Sequence, residues 1–536
     1  MMSYKNTKRQ IFQPILLALI LIVGIFIGYV VLPGKMGKKN PLVIYPQTNK
    51  IEAILNLIEE EYVDTVDTHA LQEEMIPEML KKLDPHTVYI PAKDLKNVNE
   101  ELSSEFGGIG VQFNIHKDTV MVIAVIPGGP SEKVGILPGD RIVSVNDSSI
   151  AGNGIKNAVV LRLLRGEMGT GVKVGVIRRN LKEPIHFDIT RGKIPMYSVD
   201  VSYMVTDEIG YIKVNRFAAN TYSEFLTALA KLKASSSKKL IIDFRGNSGG
   251  YLEVAINLCN EFLHNGDMIV YTEGKSNPRQ EVHANGKGTC QDTEIAVLVD
   301  EFSASASEIF AGAIQDNDRG IVVGRRTFGK GLVQNQIPLL DGSALRLTIS
   351  RYYTPAGRCI QKPYDNGNEE YYKDIIERFQ HGEFFNRDSI SVNDSLAYKT
   401  KNGRTVYGGG GIMPDYFVPR DTTALTEYYY RVRENGLIYR FALEYTDNNR
   451  SIMEQFTKVE EVKRYLNEQP ILKAFKSFAS KEGVKLNRKQ FKISEHLIDT
   501  EIKAYIARNI IDNDGFYPIL GEVDEVLQNA VQQLEK

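Results

Sequence analysis

Three short segments of this chain combine residue types suited to acyl chemistry: RGNSGG (245–250), SASASE (303–308) and RRTFGKGLVQ (325–334). The middle segment follows IAVLVDE, an apolar stretch that reads as a buried strand, so its small residues stand where a strand gives way to a helix. Small side chains let a substrate backbone come close, and the unpaired N–H groups of a helix start can hold a developing oxyanion. A serine in that place needs a base. The eight histidines are scattered, and His264 and His283, which fall in the same region, have no motif around them. Lys330, between glycines in FGKG, is the better base, because serine with lysine is a known form of the nucleophile and base pair. At its ordinary pKa of about 10.4, roughly one lysine in two thousand is neutral at pH 7; burial can lower that value by about 3 to 5 units. Composition alone does not choose among Ser303, Ser305 and Ser307.

The elements that must position these residues follow from periodicity. Beyond Ile194 strands and helices alternate: EIGYIKVNRF, a helix over about 222–232, KKLIIDFRG, a helix over about 251–264, DMIVYTE, EIAVLVDE, a helix over about 305–316, then GIVVGRR and SALRLTISRYYTP. This is an α/β layer fold, in which sites gather where strands end. Ahead of it, from about Phe106, the period is two. GIGVQFNI, TVMVIAVI, GDRIVSVN, GVKVGVIR and EPIHFDIT read as five strands, with one helix over about 155–164, which suggests a small, partly open barrel. Residues 127–146, PGGPSEKVGILPGDRIVSVN, resemble a PDZ domain. Such a domain takes a peptide's free carboxylate on a nest of backbone N–H groups and adds the peptide to a strand edge. FGGIG suits the nest, so Gly107, Gly108, Ile109 and Gly110 are the expected peptide contacts. One amphipathic helix, about 51–62, and a second helix, about 70–83, form a small helical cap, and Asp84-Pro85 ends the second.

LDPHTVYI (83–90), the PDZ-like segment, RGNSGG, SASASE and TFGKGLVQ, in this order, resemble the carboxyl-terminal processing (tail-specific) proteases from about Leu83 to Asp415. The resemblance implies a crotonase- or Clp-protease-like α/β catalytic domain with no metal or cofactor. It implies that Ser305 is the nucleophile, that Lys330, 25 residues on, is its base, and that Gln334 orients the lysine. Whether the stretch from Lys330 to Gln334 is a helical turn or a strand stays open. The oxyanion donors it implies are the N–H groups of Ala306 and of either Gly249 or Gly250. Substrates would be proteins with apolar C-terminal tails, and Arg165, at the end of the PDZ helix, is the expected relay between tail binding and the protease site. Ser307 is expected to bond at the helix start and Glu308 to face the positive end of the helix dipole. Family members often have proline where Ser248 stands, and GNSGG looks like the nucleophile segment of trypsin-like proteases. That alternative would need a histidine and an aspartate upstream on a β-barrel. A PDZ scaffold with a quiescent protease fold is a second alternative.

Residues 11–32 carry no charge and match the roughly 20 residues of a membrane-crossing helix. Lys5, Lys8 and Arg9 precede them and favour a cytoplasmic N-terminus, with the remaining domains on the periplasmic side of a bacterial inner membrane. The chain is thus expected to divide into 1–10, a cytoplasmic start; 11–32, the anchor; 33–48, a basic linker; 49–100, the helical region; 101–192, the PDZ domain; 193–420, the protease domain, with a polar insertion at 361–406; and 421–536, a mostly helical region. With 65 basic and 67 acidic residues the formal charge is −2, so no global field recruits nucleic acid. The odd, well-separated Cys259, Cys290 and Cys359 read as buried thiols, not as a disulfide or zinc set. The insertion and the C-terminal region could serve self-association or a regulatory adaptor.

Overall fold

The computed structural model describes residues 49–536 apart from 117, 179, 180 and 182. The expected anchor, residues 11–32, lies outside the described residues; among the described helices none is long and apolar enough to cross a membrane. The described residues fall into two compact units, divided between Met75 and Ile76. In the first, the helix Lys50–Glu61 begins at Asn49, whose side chain accepts the Ile51 N–H. The next helix is Thr68–Leu80.

The DPHT turn that follows does more than end a cap. The Asp84 carboxylate accepts the N–H groups of His86 (2.8 Å) and Thr87 (2.9 Å) and the Thr87 hydroxyl (2.6 Å). This turn launches strand β1 (Val88–Ile90), which joins a sheet of the catalytic region. A third helix, Ala92–Ser103, comes next, most of it within the expected helical region.

The PDZ-like domain contains β2 (Glu105–Gly108), β3 (Val111–His116), β4 (Thr119–Val125), β5 (Arg141–Val145), β6 (Ser148–Ser149), β7 (Gly171–Ile177), β8 (Ile185–Thr190) and β9 (Gly192–Pro195). Its sheet has the order β3-β4-β5-β7-β8, with β6 on β5, and β2 pairs separately with β9. Period-two residues such as Val172, Val174 and Val176 supply its core, together with Val160 and Leu164 from the helix Asn157–Leu164.

The catalytic region is α/β as expected and is built on two sheets. The larger runs β10 (Val199–Met204), β11 (Ile209–Val214), β12 (Lys239–Asp243), then β15 and β16, given below, and last β21 (Tyr416–Phe417). Between β12 and β15 the chain leaves for β13 (Met268–Glu273) and β14 (Gln280–His283) and returns as β15 (Glu294–Val299) and β16 (Ile321–Gly324). β13 and β14 belong to the second sheet, with β1 and the hairpin β17 (Leu332–Pro338) and β18 (Ala344–Tyr353). One face of the larger sheet is covered by the helices Thr221–Ala234, Leu252–Asn260 and Ala306–Asp316. The opposite face is covered by the last helix of the chain, Glu525–Leu534, whose Val526, Leu527, Ala530, Val531 and Leu534 pack on Tyr211, Ile241, Ala296 and Leu298.

The insertion has structure of its own: a helix, Asn368–Gln380, and a hairpin of β19 (Ala397–Lys399) and β20 (Thr405–Tyr407). Its Tyr371 and Phe384 are buried, which the polar composition hid. The C-terminal region is helical as expected, with its own core around Phe475, Ile498 and Ile502. Cys259 and Cys290 are buried free thiols, and Cys359 is partly exposed. Leu527 keeps 2 % of its surface, so Leu527→Ala should cost about 2–4 kcal/mol in urea unfolding. A loss under about 0.5 kcal/mol, the size of a surface substitution, would show that the last helix does not rest on the sheet.

Candidate active site

Ser305 is the residue before the helix Ala306–Asp316 and holds φ 55° and ψ −113°, a conformation sparsely populated by non-glycine residues. Its side chain faces a cleft of about 730 Å³ that Lys330 and Gln334 also line. The two rival serines are buried and bonded elsewhere. Ser303 Oγ donates to the Phe244 carbonyl (2.9 Å) and accepts the Asp300 N–H (2.9 Å). Ser307 Oγ reaches the Asn247 carbonyl (2.9 Å), so it ties the helix to the RGNSGG loop instead of bonding only at the helix start. Alternate serines of SASAS thus clamp the neighbouring loop, and Ser305 is left toward the cleft.

Glu308 is fully buried and does more than meet the helix dipole. Its carboxylate accepts the N–H groups of Ser305 (2.8 Å), Gly329 (2.7 Å) and Lys330 (2.9 Å) and the Thr327 hydroxyl (2.5 Å). Burial pushes its pKa up to about 7 against the pull of these four donors. The Tyr352 hydroxyl adds a second link, lying 3.1 Å from the Ser305 carbonyl and 2.5 Å from that of Lys330.

Desolvation pushes the Lys330 ammonium down to about 8, helped by the Arg346 guanidinium and opposed by Glu308 and Asp84. Gln334 lies on β17, so the stretch is a strand and the helical-turn alternative is excluded. Its amide donates to Thr348 Oγ1 (3.3 Å), which donates to Asp84 Oδ1 (3.1 Å). The DPHT turn is therefore part of the site, a role the sequence analysis missed although the motif was in view. His86, also missed, lines the cleft 2.9 Å from the Tyr371 hydroxyl of the insertion. Burial, then the nearby Lys330, push its pKa down to about 4, so it is neutral at pH 7. His264 and His283 are exposed, and neither is among the cleft residues.

Gly249 and Gly250 press on opposite partners. A Cβ on Gly249 would stand 2.8 Å from Ser305 Cβ and 2.9 Å from the Ala306 nitrogen; one on Gly250 would meet the Phe217 carbonyl at 2.1 Å. Both have positive φ, 102° and 147°. The Gly249 N–H donates to Asn247 Oδ1 (2.9 Å). Gly250 bridges Phe217 in parallel fashion through the Gly249 carbonyl and the Tyr251 N–H, which leaves its own N–H outside that bridge. Ser248 is exposed on the cleft wall, in an α/β fold and not the β-barrel a trypsin-like site would need.

In the PDZ-like domain all four residues of Gly107–Gly110 are buried. Gly107 and Gly108 pair with Lys193 and Gly192, and Ile109 sits in the core, so the first half of the segment is sheet and not an open nest. Among the described residues β3, immediately after it, pairs on one side only, with β4. Arg165 stacks over the Phe106 ring, 4.2 Å from its centre, and so touches the strand leading into this segment, not the cleft.

The lysine's depressed pKa has a cost in stability. The unfolded chain holds the proton more tightly than the folded one between about pH 8 and 10.5, so this group opposes folding fully below pH 8 and progressively less as pH rises to 10.5. Lys330→Met should therefore raise stability at pH 7 by about 1–3 kcal/mol, with the gain shrinking as pH rises above about 8. A gain independent of pH would place the lysine in water.

Comparison with known sequences gives three matches along the chain. The sequence model of Peptidase family S41 matches residues 208–367, that of the PDZ domain residues 107–189, and that of a family of unknown function, DUF8443, residues 428–512. A carboxy-terminal-processing protease of Bartonella bacilliformis is 33% identical over 346 residues, covering 63% of this chain and 79% of the relative. A probable CtpA-like serine protease of Staphylococcus aureus is 34% identical over 359 residues, 66% of this chain and 71% of the relative. The carboxy-terminal processing protease CtpB of Bacillus subtilis is 33% identical over 317 residues, 59% and 65% of the two chains.

Proposed function

Because the chain belongs to the carboxy-terminal processing protease family and is a serine-type peptidase, we propose that it cleaves with Ser305 as nucleophile and Lys330 as general base. The observation that carries this reading is the Glu308 carboxylate, which bonds the backbones of both residues, beside a lysine whose burial brings its pKa to about 8. At that value roughly a tenth of the lysine is neutral at pH 7, about two hundred times more than for a solvated lysine.

In the proposed reaction neutral Lys330 takes the Ser305 hydroxyl proton as Oγ attacks the scissile carbonyl. The Ala306 N–H, at the helix start, and the Gly250 N–H hold the oxyanion; Gly250 is preferred because the Gly249 N–H is already bonded to Asn247. Lys330 returns its proton to the leaving amine, and water then resolves the acyl-enzyme. Gln334, held through Thr348 and Asp84, orients the lysine. The PDZ domain takes the free C-terminal tail of an exported protein along the open edge of β3 and passes the chain to the cleft. Arg165, against Phe106, is the proposed link between tail binding and activity. Residues 11–32 anchor the enzyme, with its domains on the periplasmic side of a bacterial inner membrane.

The test is cleavage of an unfolded reporter with an apolar C-terminal tail by the full-length chain in detergent, from pH 6 to 10. The rate should rise about tenfold per unit below pH 8 and level above it, and Ser305→Ala and Lys330→Ala should be silent. Activity that survives in Ser305→Ala but not in Ser248→Ala would replace this reading with a trypsin-like one. Equal cleavage of a reporter with an amidated tail would remove the tail-recognition step.

A further inference from the structure

Arg245 opens the RGNSGG loop, and its guanidinium is shared between two carboxylates from distant parts of the chain. Nη2 donates to Asp243 Oδ2 at the end of β12 (2.6 Å). Nη1 and Nη2 also grip both oxygens of Asp524 (2.8 and 2.6 Å), a residue of the C-terminal region. The backbone of Arg245 is fixed too, its N–H by Asp243 (2.8 Å) and its carbonyl by the Lys213 ammonium (2.5 Å). Two residues on, the Asn247 side chain donates to the Val214 carbonyl (2.9 Å) and accepts the Gly249 N–H, and the Asn247 carbonyl receives the Ala304 N–H and the Ser307 hydroxyl. Arg245 is thus the anchored start of a loop whose other end packs on Ser305.

Asp524 is itself held in place. It caps the helix Glu525–Leu534 by accepting the N–H groups of Val526 and Leu527, both at 3.1 Å. That helix lies on the sheet through its apolar face. At its far end the Leu534 carbonyl accepts the ammonium of Lys239, the first residue of β12. The last helix therefore runs back along β12, pinned at both ends of the strand, and only the Asp524 end meets the glycine loop.

We infer that Asp524 is a positioning residue for the glycine loop, which makes the C-terminal helix part of the scaffold of the active site. The inference rests on the peptidase reading above. A bidentate arginine–carboxylate pair fixes direction as well as distance, and a backbone donor serves an oxyanion only if it is aimed before the charge develops.

Asp524→Asn is the informative variant, because asparagine caps a helix about as well as aspartate, while the negative charge and one of the two acceptors that Arg245 grips are lost. In the full-length chain it should lower kcat about tenfold or more with KM changed less than about twofold. Asp524→Glu should recover part of that loss. Lys239→Ala, which frees the opposite end of the same helix, should lower the unfolding temperature and leave kcat within about twofold. Amide hydrogen exchange over residues 245–251 should quicken in Asp524→Asn and not in Lys239→Ala. Parent kcat in Asp524→Asn, or equal kcat losses in both variants at matched unfolding temperature, would overturn the inference. Should the parent itself not cleave, the peptidase reading fails, and unchanged exchange in Asp524→Asn then rejects the positioning role on its own.

Discussion

A carboxylate buried among four hydrogen-bond donors, Glu308, is the constraint on which the rest of the site depends. Its donors come from two loops that follow different strands, Ser305 after β15 and Thr327, Gly329 and Lys330 after β16. Side-chain to side-chain bonding would have fixed two functional groups; bonding to N–H groups fixes two backbones, from which both side chains then project. Burying that carboxylate is costly, and the four donors offset the cost only in part, which is why its pKa stays raised. Tyr352 repeats the same connection from β18 through the two carbonyl groups.

The low proton affinity of Lys330 is a property of the walls around it. The β17–β18 hairpin supplies Gln334 and Arg346, and the DPHT turn, bonded to β18 through Thr348, supplies His86, while its Asp84 pulls the lysine's pKa the other way. Outside these, the insertion helix Asn368–Gln380 closes one side: Tyr371 meets His86, and the Tyr372 hydroxyl donates to the Pro85 carbonyl (3.1 Å) while its ring lines the cleft. A segment read from its composition only as a polar insertion therefore supplies part of the cleft wall and braces the DPHT turn.

What could be read without coordinates was what local chemistry encodes. Small residues after a buried strand, paired glycines and a lysine between glycines mark the segments around Ser305, Gly249 and Lys330, and period-two alternation marks the PDZ strands. The missing parts are long-range. Asp84 and Thr348 are 264 residues apart, and Arg245 and Asp524 are 279 apart; no period or spacing announces such pairs. LVQNQIP carries too few apolar residues to distinguish a strand from a helical turn, so the placement of Gln334 needed its partner strand β18. FGGIG suits an amide nest because glycine permits one; its first half is sheet, and Gly107 is small so that the Gly166 carbonyl can pack against it. Ser303 and Ser307 were indistinguishable from Ser305 in composition; the family resemblance singled out Ser305, and the bonds of the other two to the Phe244 and Asn247 carbonyl groups give the physical difference.

The central claim, that Ser305 is activated by a lysine of lowered pKa, is tested most directly by covalent labelling. The full-length chain is treated with a fluorophosphonate at a series of pH values, and the adduct is located by peptide mass spectrometry. The account predicts a single adduct on Ser305 whose rate of formation rises with pH and levels above about pH 8, and which Lys330→Ala does not form. An adduct on Ser248, or labelling of Ser305 that proceeds unchanged in Lys330→Ala, would contradict it.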